Sequence, residues 1–202
     1  MVNKSAERFG FRASAWRPKS SDSQLFTLQN RGMMRAKIRW MIRKDMPDVM
    51  RIERGSFDWP WCEEDFMNCL RQRNCIGMIV ERDDEMVGFM VYELFRSTIH
   101  VLNFAIATEH RNRGYGRAMV DCLKSKIDQQ KRQRITLEVS DSNIDAQRFF
   151  KAMGFKASRV IPGMYDNTSD AAYEMKWNAS GDVDDFDWHE IADGQAKVFE
   201  VA

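Results

Sequence analysis

The chain has 202 residues, 44% of them hydrophobic and 30% charged, with a formal net charge of +1. That length suits one domain with a substantial core, and the nearly balanced charge of its central part gives no basic footprint for nucleic acid. The four cysteines and three histidines fall in no metal-binding spacing, no apolar run reaches the length of a membrane span, and the first 35 residues hold no secretory signal, so reduced thiols and a cytoplasmic location are expected.

Residues 1–35 carry seven Lys/Arg against two acidic residues and read as a disordered basic extension. Met33 and Met34 at its end are candidates for an alternative start. Lys37 to Ile42 reads as a first strand. Asp45 and Pro47 then open a helix to about Gly55 that buries Val49, Met50 and Ile52. The loop Ser56 to Trp61 is rich in aromatics. Glu63, Glu64 and Asp65 suit the start of a second helix, with Phe66, Cys69 and Leu70 as its apolar stripe. Ile76 to Glu81 and Met86 to Phe95 form a hairpin around Arg82 to Glu85, and Ile99 to Ala107 is the next strand.

Arg111-Asn112-Arg113-Gly114-Tyr115-Gly116 follows that strand and leads into a helix carrying Met119, Val120, Leu123 and Ile127. Two glycines between strand and helix let the backbone approach a ligand closely. The helix start adds unpaired N–H groups and the positive end of its dipole. The spacing is neither the dinucleotide nor the P-loop pattern, and no Lys-Ser/Thr pair follows, which argues against NAD or ATP. A phosphate cradle of backbone amides remains, with Arg111, Arg113 and Arg117 adding charge. Ile135 to Val139 alternates like a strand. Asp141 to Asn143 supplies caps for a helix with Ala146, Phe149, Phe150 and Met153, stopped at Gly154. A loop with Pro162, Gly163 and Tyr165 precedes a last strand, Ala171 to Trp177. The whole reads as an α/β fold with a mixed sheet over 36–177. Residues 178–202, with seven acidic residues and one lysine, read as a flexible acidic tail.

This order of elements, with R-x-x-G-x-G between the fourth strand and the third helix, resembles the GNAT superfamily of acyl-CoA-dependent N-acetyltransferases. Within it the chain is most similar to the RimI-type ribosomal-protein alanine N-acetyltransferases. The segments that carry the likeness are Asp58-Trp59-Pro60-Trp61-Cys62-Glu63-Glu64, Asn103-Phe104-Ala105-Ile106, Leu137-Glu138-Val139, and Asn143-x-x-Ala146 leading to Phe150-x-x-Met153-Gly154-Phe155. The resemblance implies a single GNAT-like domain whose fourth and fifth strands splay apart around acetyl-CoA, the co-substrate, with no metal. It implies that backbone groups of Phe104, Ala105 and Ile106 hold the pantetheine arm and thioester carbonyl. Amides of Asn112, Arg113, Gly114, Tyr115, Gly116 and Arg117 would take the pyrophosphate, and Asn143 would hydrogen-bond the pantetheine; a helix cap is the other reading of Asn143.

Glu138 matches the family's general base, and strand alternation turns it away from Leu137 and Val139. Where RimI-type enzymes carry a tyrosine as general acid, this chain has Phe150, which donates no proton; Tyr165 is the first substitute. The expected reaction is acetyl transfer to a primary amine, above all the α-amine of a protein N-terminus, without direct nucleic-acid or membrane binding. Alternatives are a small-amine (polyamine or antibiotic) acetyltransferase and a non-catalytic acyl-CoA-binding module. Acceptor choice is expected from two loops, Phe57 to Cys62 and Val160 to Asn167. Trp59 and Trp61 serve there either as a clamp for a peptide end or as staples between helices and sheet.

Overall fold

The computed structural model describes residues 26–27, 36–129, 132–163 and 171–181. It forms two compact units, Met1–Arg132 and Gln133–Ala202. In the first, β1 (Phe26–Thr27), β2 (Ala36–Trp40), β3 (Cys75–Arg82), β4 (Glu85–Leu94) and β5 (Thr98–Ile106) pair in that order, all antiparallel. Helices α1 (Met46–Arg54) and α2 (Glu63–Leu70) come between β2 and β3, and α3 (Tyr115–Gln129) follows β5. The core of this unit gathers Val49 and Ile52 of α1, Phe66 of α2, and Ile79, Phe89 and Ala105 of the sheet. Met119, Val120, Leu123 and Ile127 of α3 are buried as their 3.6-residue spacing requires.

Two features set the ends of these elements. The hairpin turn places Asp83 at φ 49° and Asp84 at φ 64°. Both central residues are left-handed, the geometry that matches strand twist in a two-residue turn and that Asp tolerates. Asp45 is the N-cap residue of α1 but does not cap that helix through its side chain. Its carboxylate instead accepts the Ile42 N–H at 2.7 Å and two bonds from the Arg39 guanidinium at 2.7 and 2.8 Å. Arg39 also binds Glu81 across the β2–β3 pair at 2.6 Å. Burial acts to raise the Asp45 carboxyl, but the Arg39 bonds, the Ile42 amide and the Arg39 charge hold it below the usual carboxylate range.

The second unit contains β6 (Arg134–Ser140), α4 (Ile144–Ala152), β7 (Lys156–Ile161) and β8 (Ala172–Asn178). β8 pairs antiparallel with β6 on one side and β7 on the other. Gly154 stops α4 with φ +80°, the left-handed position that glycine fills without a Cβ clash.

The fold departs from the sequence reading at β1 and β7. β1 pairs Phe26 with Ile38 inside the segment read as a disordered extension. β7 occupies a stretch read as loop. Its alternation is broken by a register shift between Ala157 and Arg159, so only Ala157 of its six residues is buried. Most of residues 1–35 and 178–202 lie outside the described residues.

Candidate active site

In the first unit, β5 alternates strictly between buried and half-buried residues. Ala105 is buried opposite Phe89, while Phe104 and Ile106 sit half-buried opposite Met90 and Gly88. The β4–β5 register shifts where Asn103 faces Val91 and Val101 faces Tyr92, leaving Leu102 as the extra residue of a bulge. A Cβ on Gly88 would lie 2.8 Å from the Ala105 carbonyl oxygen. Glycine there lets the end of β5 approach β4.

A short turn, Thr108–His110, carries the chain from β5 to the glycine loop. Arg111 Nε donates to the Ile106 carbonyl at 3.1 Å, fastening the loop to the last residue of the strand. Asn112 at φ 58° and Gly114 at φ 89° are both left-handed. Ala118 N–H donates to Gly114 O at 3.0 Å as α3 begins. The amides of Tyr115, Gly116 and Arg117 therefore precede the helical ladder and have no partner within the helix. The Arg111, Arg113 and Arg117 side chains are exposed around them.

Tyr115 differs from its loop neighbours. Its ring is buried and meets His110 edge-on, with centroids 6.2 Å apart. Tyr115 Oη and His110 Nδ1 are both buried without a hydrogen-bond partner among the described residues. Tyr115 thus offers its backbone to the loop while its side chain belongs to the core.

The aromatic loop before α2 divides its two tryptophans. Trp61 is half-buried and packs edge-on against Phe66 at 5.2 Å, the role of a staple. Trp59 is 68% exposed, a large apolar surface open to a ligand. Beneath the loop lies Glu53 of α1, only 1% exposed. One carboxylate oxygen accepts the Trp61 N–H at 2.8 Å, and Asn103 Nδ2 on β5 donates to both oxygens at 3.1 Å. Burial pushes the Glu53 carboxyl above its ordinary range, opposed by the Trp61 amide and the Asn103 side chain. The sequence reading gave Glu53 no role. Its signal was available: it stands one turn beyond Val49 on the apolar face of α1, where a carboxylate needs partners.

In the second unit, Glu138 is half-buried on β6, while Leu137 and Val139 are buried on the opposite face as alternation predicts. Its cross-strand partner on β8 is Glu174. The Glu174 carboxylate accepts Ser158 Oγ at 2.8 Å and Arg159 Nε at 3.1 Å, and pairs with Lys176 Nζ at 2.7 Å. Burial acts to raise its carboxyl. The bonds from Lys176 and Ser158 and the charges of Lys176 and Arg159 outweigh that and hold it below the usual range. Asn143 is the N-cap of α4, and its Oδ1 accepts the Ala146 N–H at 3.1 Å. Phe150 is buried edge-on between Phe149 and Phe155, at 5.0 and 5.3 Å. Tyr165 and the loop beyond Gly163 lie outside the described residues.

Among the described residues no group of three or more His, Cys, Asp or Glu could hold a metal ion, and no helix is long and apolar enough to cross a membrane.

Residues 38–155 match the acetyltransferase (GNAT) family. A [ribosomal protein bS18]-alanine N-acetyltransferase of Salmonella typhimurium is 24% identical over 121 residues, 60% of this chain and 81% of that protein. The crystal structure of the ribosomal-protein-S18-alanine N-acetyltransferase from Escherichia coli superposes with a TM-score of 0.66 at 19% identity, covering 76% of this chain and 99% of that one. Arabidopsis thaliana NAA60 in complex with acetyl-CoA gives a TM-score of 0.63 at 18% identity, over 72% of this chain and 99% of that one. The two solved structures share the α/β fold. With more than half of the sequence inside the family match, the chain belongs to the acetyltransferase (GNAT) family, whose members are N-acetyltransferases that take acetyl-CoA as co-substrate.

Proposed function

We propose that this protein transfers the acetyl group of acetyl-CoA to the α-amine of a protein N-terminus, a reading supported by its similarity to proteins named bS18-alanine N-acetyltransferases. The observation that carries the reading is Glu138, set on the polar face of β6 with its apolar neighbours turned away. In this reading Glu138 is the general base. It takes a proton from the acceptor ammonium, directly or through a water, and the freed amine attacks the thioester carbonyl. The new C–N bond replaces the C–S bond, and CoA leaves as a thiolate that collects a proton. An α-amine, with a pKa of about 8, gives up its proton to a carboxylate more readily than a lysine near 10.4.

Backbone groups of Phe104, Ala105 and Ile106 hold the pantetheine arm and the thioester carbonyl. The amides from Asn112 to Arg117 take the pyrophosphate, with Arg113, Arg117 and the dipole of α3 adding favourable charge. Asn143 contributes its side-chain amide to the pantetheine while its oxygen caps α4. Phe150, packed between two phenylalanines, offers no proton to the leaving thiolate. Tyr165 is the candidate donor, and a thiol leaves well enough for the reaction to proceed without one. Trp59 supplies the apolar surface for the first residues of the acceptor.

The test is release of CoA thiol on mixing the protein with acetyl-CoA and a panel of acceptors. Peptides with a free N-terminal alanine are expected to be turned over in preference to polyamines, aminoglycosides and N-terminally blocked peptides containing lysine. Preference for the small amines would move the protein to the small-amine class. Tight acetyl-CoA binding with no turnover on any amine would make it a binding module.

A further inference from the structure

We propose that Glu53 is a positioning residue that ties the acceptor loop to the donor strand, so that the loop ending at Trp61 is held in register with β5. The inference rests on the acetyl-transfer reading above for the meaning of "acceptor" and "donor", and on the geometry of the first unit for the tie itself. A carboxylate that is 1% exposed has left water completely, and its retention requires bonds that compensate. It has them from two directions: a backbone N–H of the aromatic loop at 2.8 Å, and a side-chain amide of β5 at 3.1 Å. Asn103 stands immediately before Phe104, Ala105 and Ile106, the residues assigned to the thioester arm. Trp61 lies two residues from the exposed Trp59. A single buried group thus joins the backbone assigned to acetyl-CoA with the loop assigned to the amine.

Asn103 gives the tie a specific chemical signature. Its Oδ1 is buried and has no partner among the described residues, because its Nδ2 is turned to the carboxylate. A glutamine at position 53 would keep one oxygen for the Trp61 N–H. Its NH2 group would meet the Asn103 NH2 group until Asn103 rotated by half a turn. That rotation brings Oδ1 to accept from the new amide. The bridge between loop and strand is then restored, with one bond to Asn103 in place of two. A leucine at position 53 fills the space, leaves the Trp61 N–H and the Asn103 amide without partners, and removes the bridge.

The experiment compares wild type, Glu53→Leu and Glu53→Gln by two measurements. The first, hydrogen exchange of peptides spanning 57–62, needs no acceptor. Glu53→Leu is expected to speed exchange there about tenfold or more, with exchange across β4 and β5 unchanged and Glu53→Gln close to wild type. The second is steady-state acetylation of an N-terminal alanine peptide. Glu53→Leu is expected to lower kcat/KM for the peptide about tenfold or more and to leave acetyl-CoA affinity within about twofold, with Glu53→Gln restoring the peptide value.

Unchanged exchange at 57–62 in Glu53→Leu would overturn the tie. Equal losses toward peptide and acetyl-CoA would overturn it too, by making Glu53 a general core residue. If Glu53→Leu does not fold, Asn103→Leu makes the same test from the strand side, and unchanged exchange at 57–62 there overturns the proposal. A wild type inactive on every amine, with the exchange pattern as expected, would refute the proposed activity and leave the tie standing.

Discussion

Glu138 and Glu174 are the same residue type, opposite each other on neighbouring strands, and their surroundings differ. Glu174 is buried under a serine, an arginine and a lysine and stays ionised as part of the sheet. Glu138 is half-buried on the polar face. Glu138→Gln is expected to cut kcat by about 10²–10⁴-fold, the usual span for a general base, with acetyl-CoA affinity within about twofold by calorimetry. Glu174→Gln is expected to act on folding instead. Loss of a charged acceptor for three donors should lower the unfolding free energy by about 1–3 kcal/mol in urea titration. The placement of Glu138 on the face of β6 opposite Leu137 and Val139 was legible in the sequence because strand side chains alternate with a period of two. Glu174 and Glu53 were not, since their meaning depends on Arg159 and Asn103, 15 and 50 residues away.

At the scale of elements, sequence pattern located α1, α2, α3, β5 and β6 by periodic burial, and the β3–β4 hairpin by two nearly continuous apolar runs around a polar turn. β7 escaped because a register shift breaks its alternation and one residue of six is buried. The glycine loop was legible as the turn between a strand and a helix, but its left-handed residue Asn112 was not, since asparagine enters that region without advertising it as glycine does. Asn112→Gly is expected to bind acetyl-CoA within about twofold of wild type. Asn112→Val puts a β-branched residue at φ 58°, at a cost of about 1–2 kcal/mol. It is expected to weaken acetyl-CoA binding about tenfold by calorimetry, because the amides that follow are displaced. The Arg39–Asp45 cluster makes a parallel case at the entry to α1. Arg39→Met would leave Asp45 buried with only the Ile42 amide, lowering stability by about 3 kcal/mol in urea titration at pH 7.

Over the whole molecule, carboxylates of both kinds set the response to pH. Asp45 in the first unit and Glu174 in the second are held below the ordinary carboxylate range. Their folded values lie below their unfolded ones, so the stability they contribute is complete above a pH of about 4 and is lost as pH falls through the lowered values. Glu53 is held above the ordinary range, so its contribution is present at low pH and fades as pH rises through its raised value. Glu93 on β4 is raised by burial in the same sense as Glu53, so lowered and raised carboxyls are equal in number among the described residues. The ion pairs of Asp45 and Glu174 are expected to dominate and to give a smaller urea midpoint at pH 3 than at pH 7. In Arg39→Met that difference should shrink, because Asp45 no longer gains from ionisation.

The bond from Arg111 to the Ile106 carbonyl has a consequence for which donors the protein accepts. It fastens the phosphate loop to the last residue of β5, so the two grips assigned to acetyl-CoA cannot drift apart. Under the proposed assignment they would act together as a caliper set to one distance, from thioester to pyrophosphate. An acetylated pantetheine lacking the nucleotide would then fill one jaw and leave the other empty, whereas a longer acyl chain would leave the jaws untouched and extend beyond them. Under the proposed assignment the protein would measure the handle of its donor at one end of β5 and leave the size of the transferred group to be judged elsewhere.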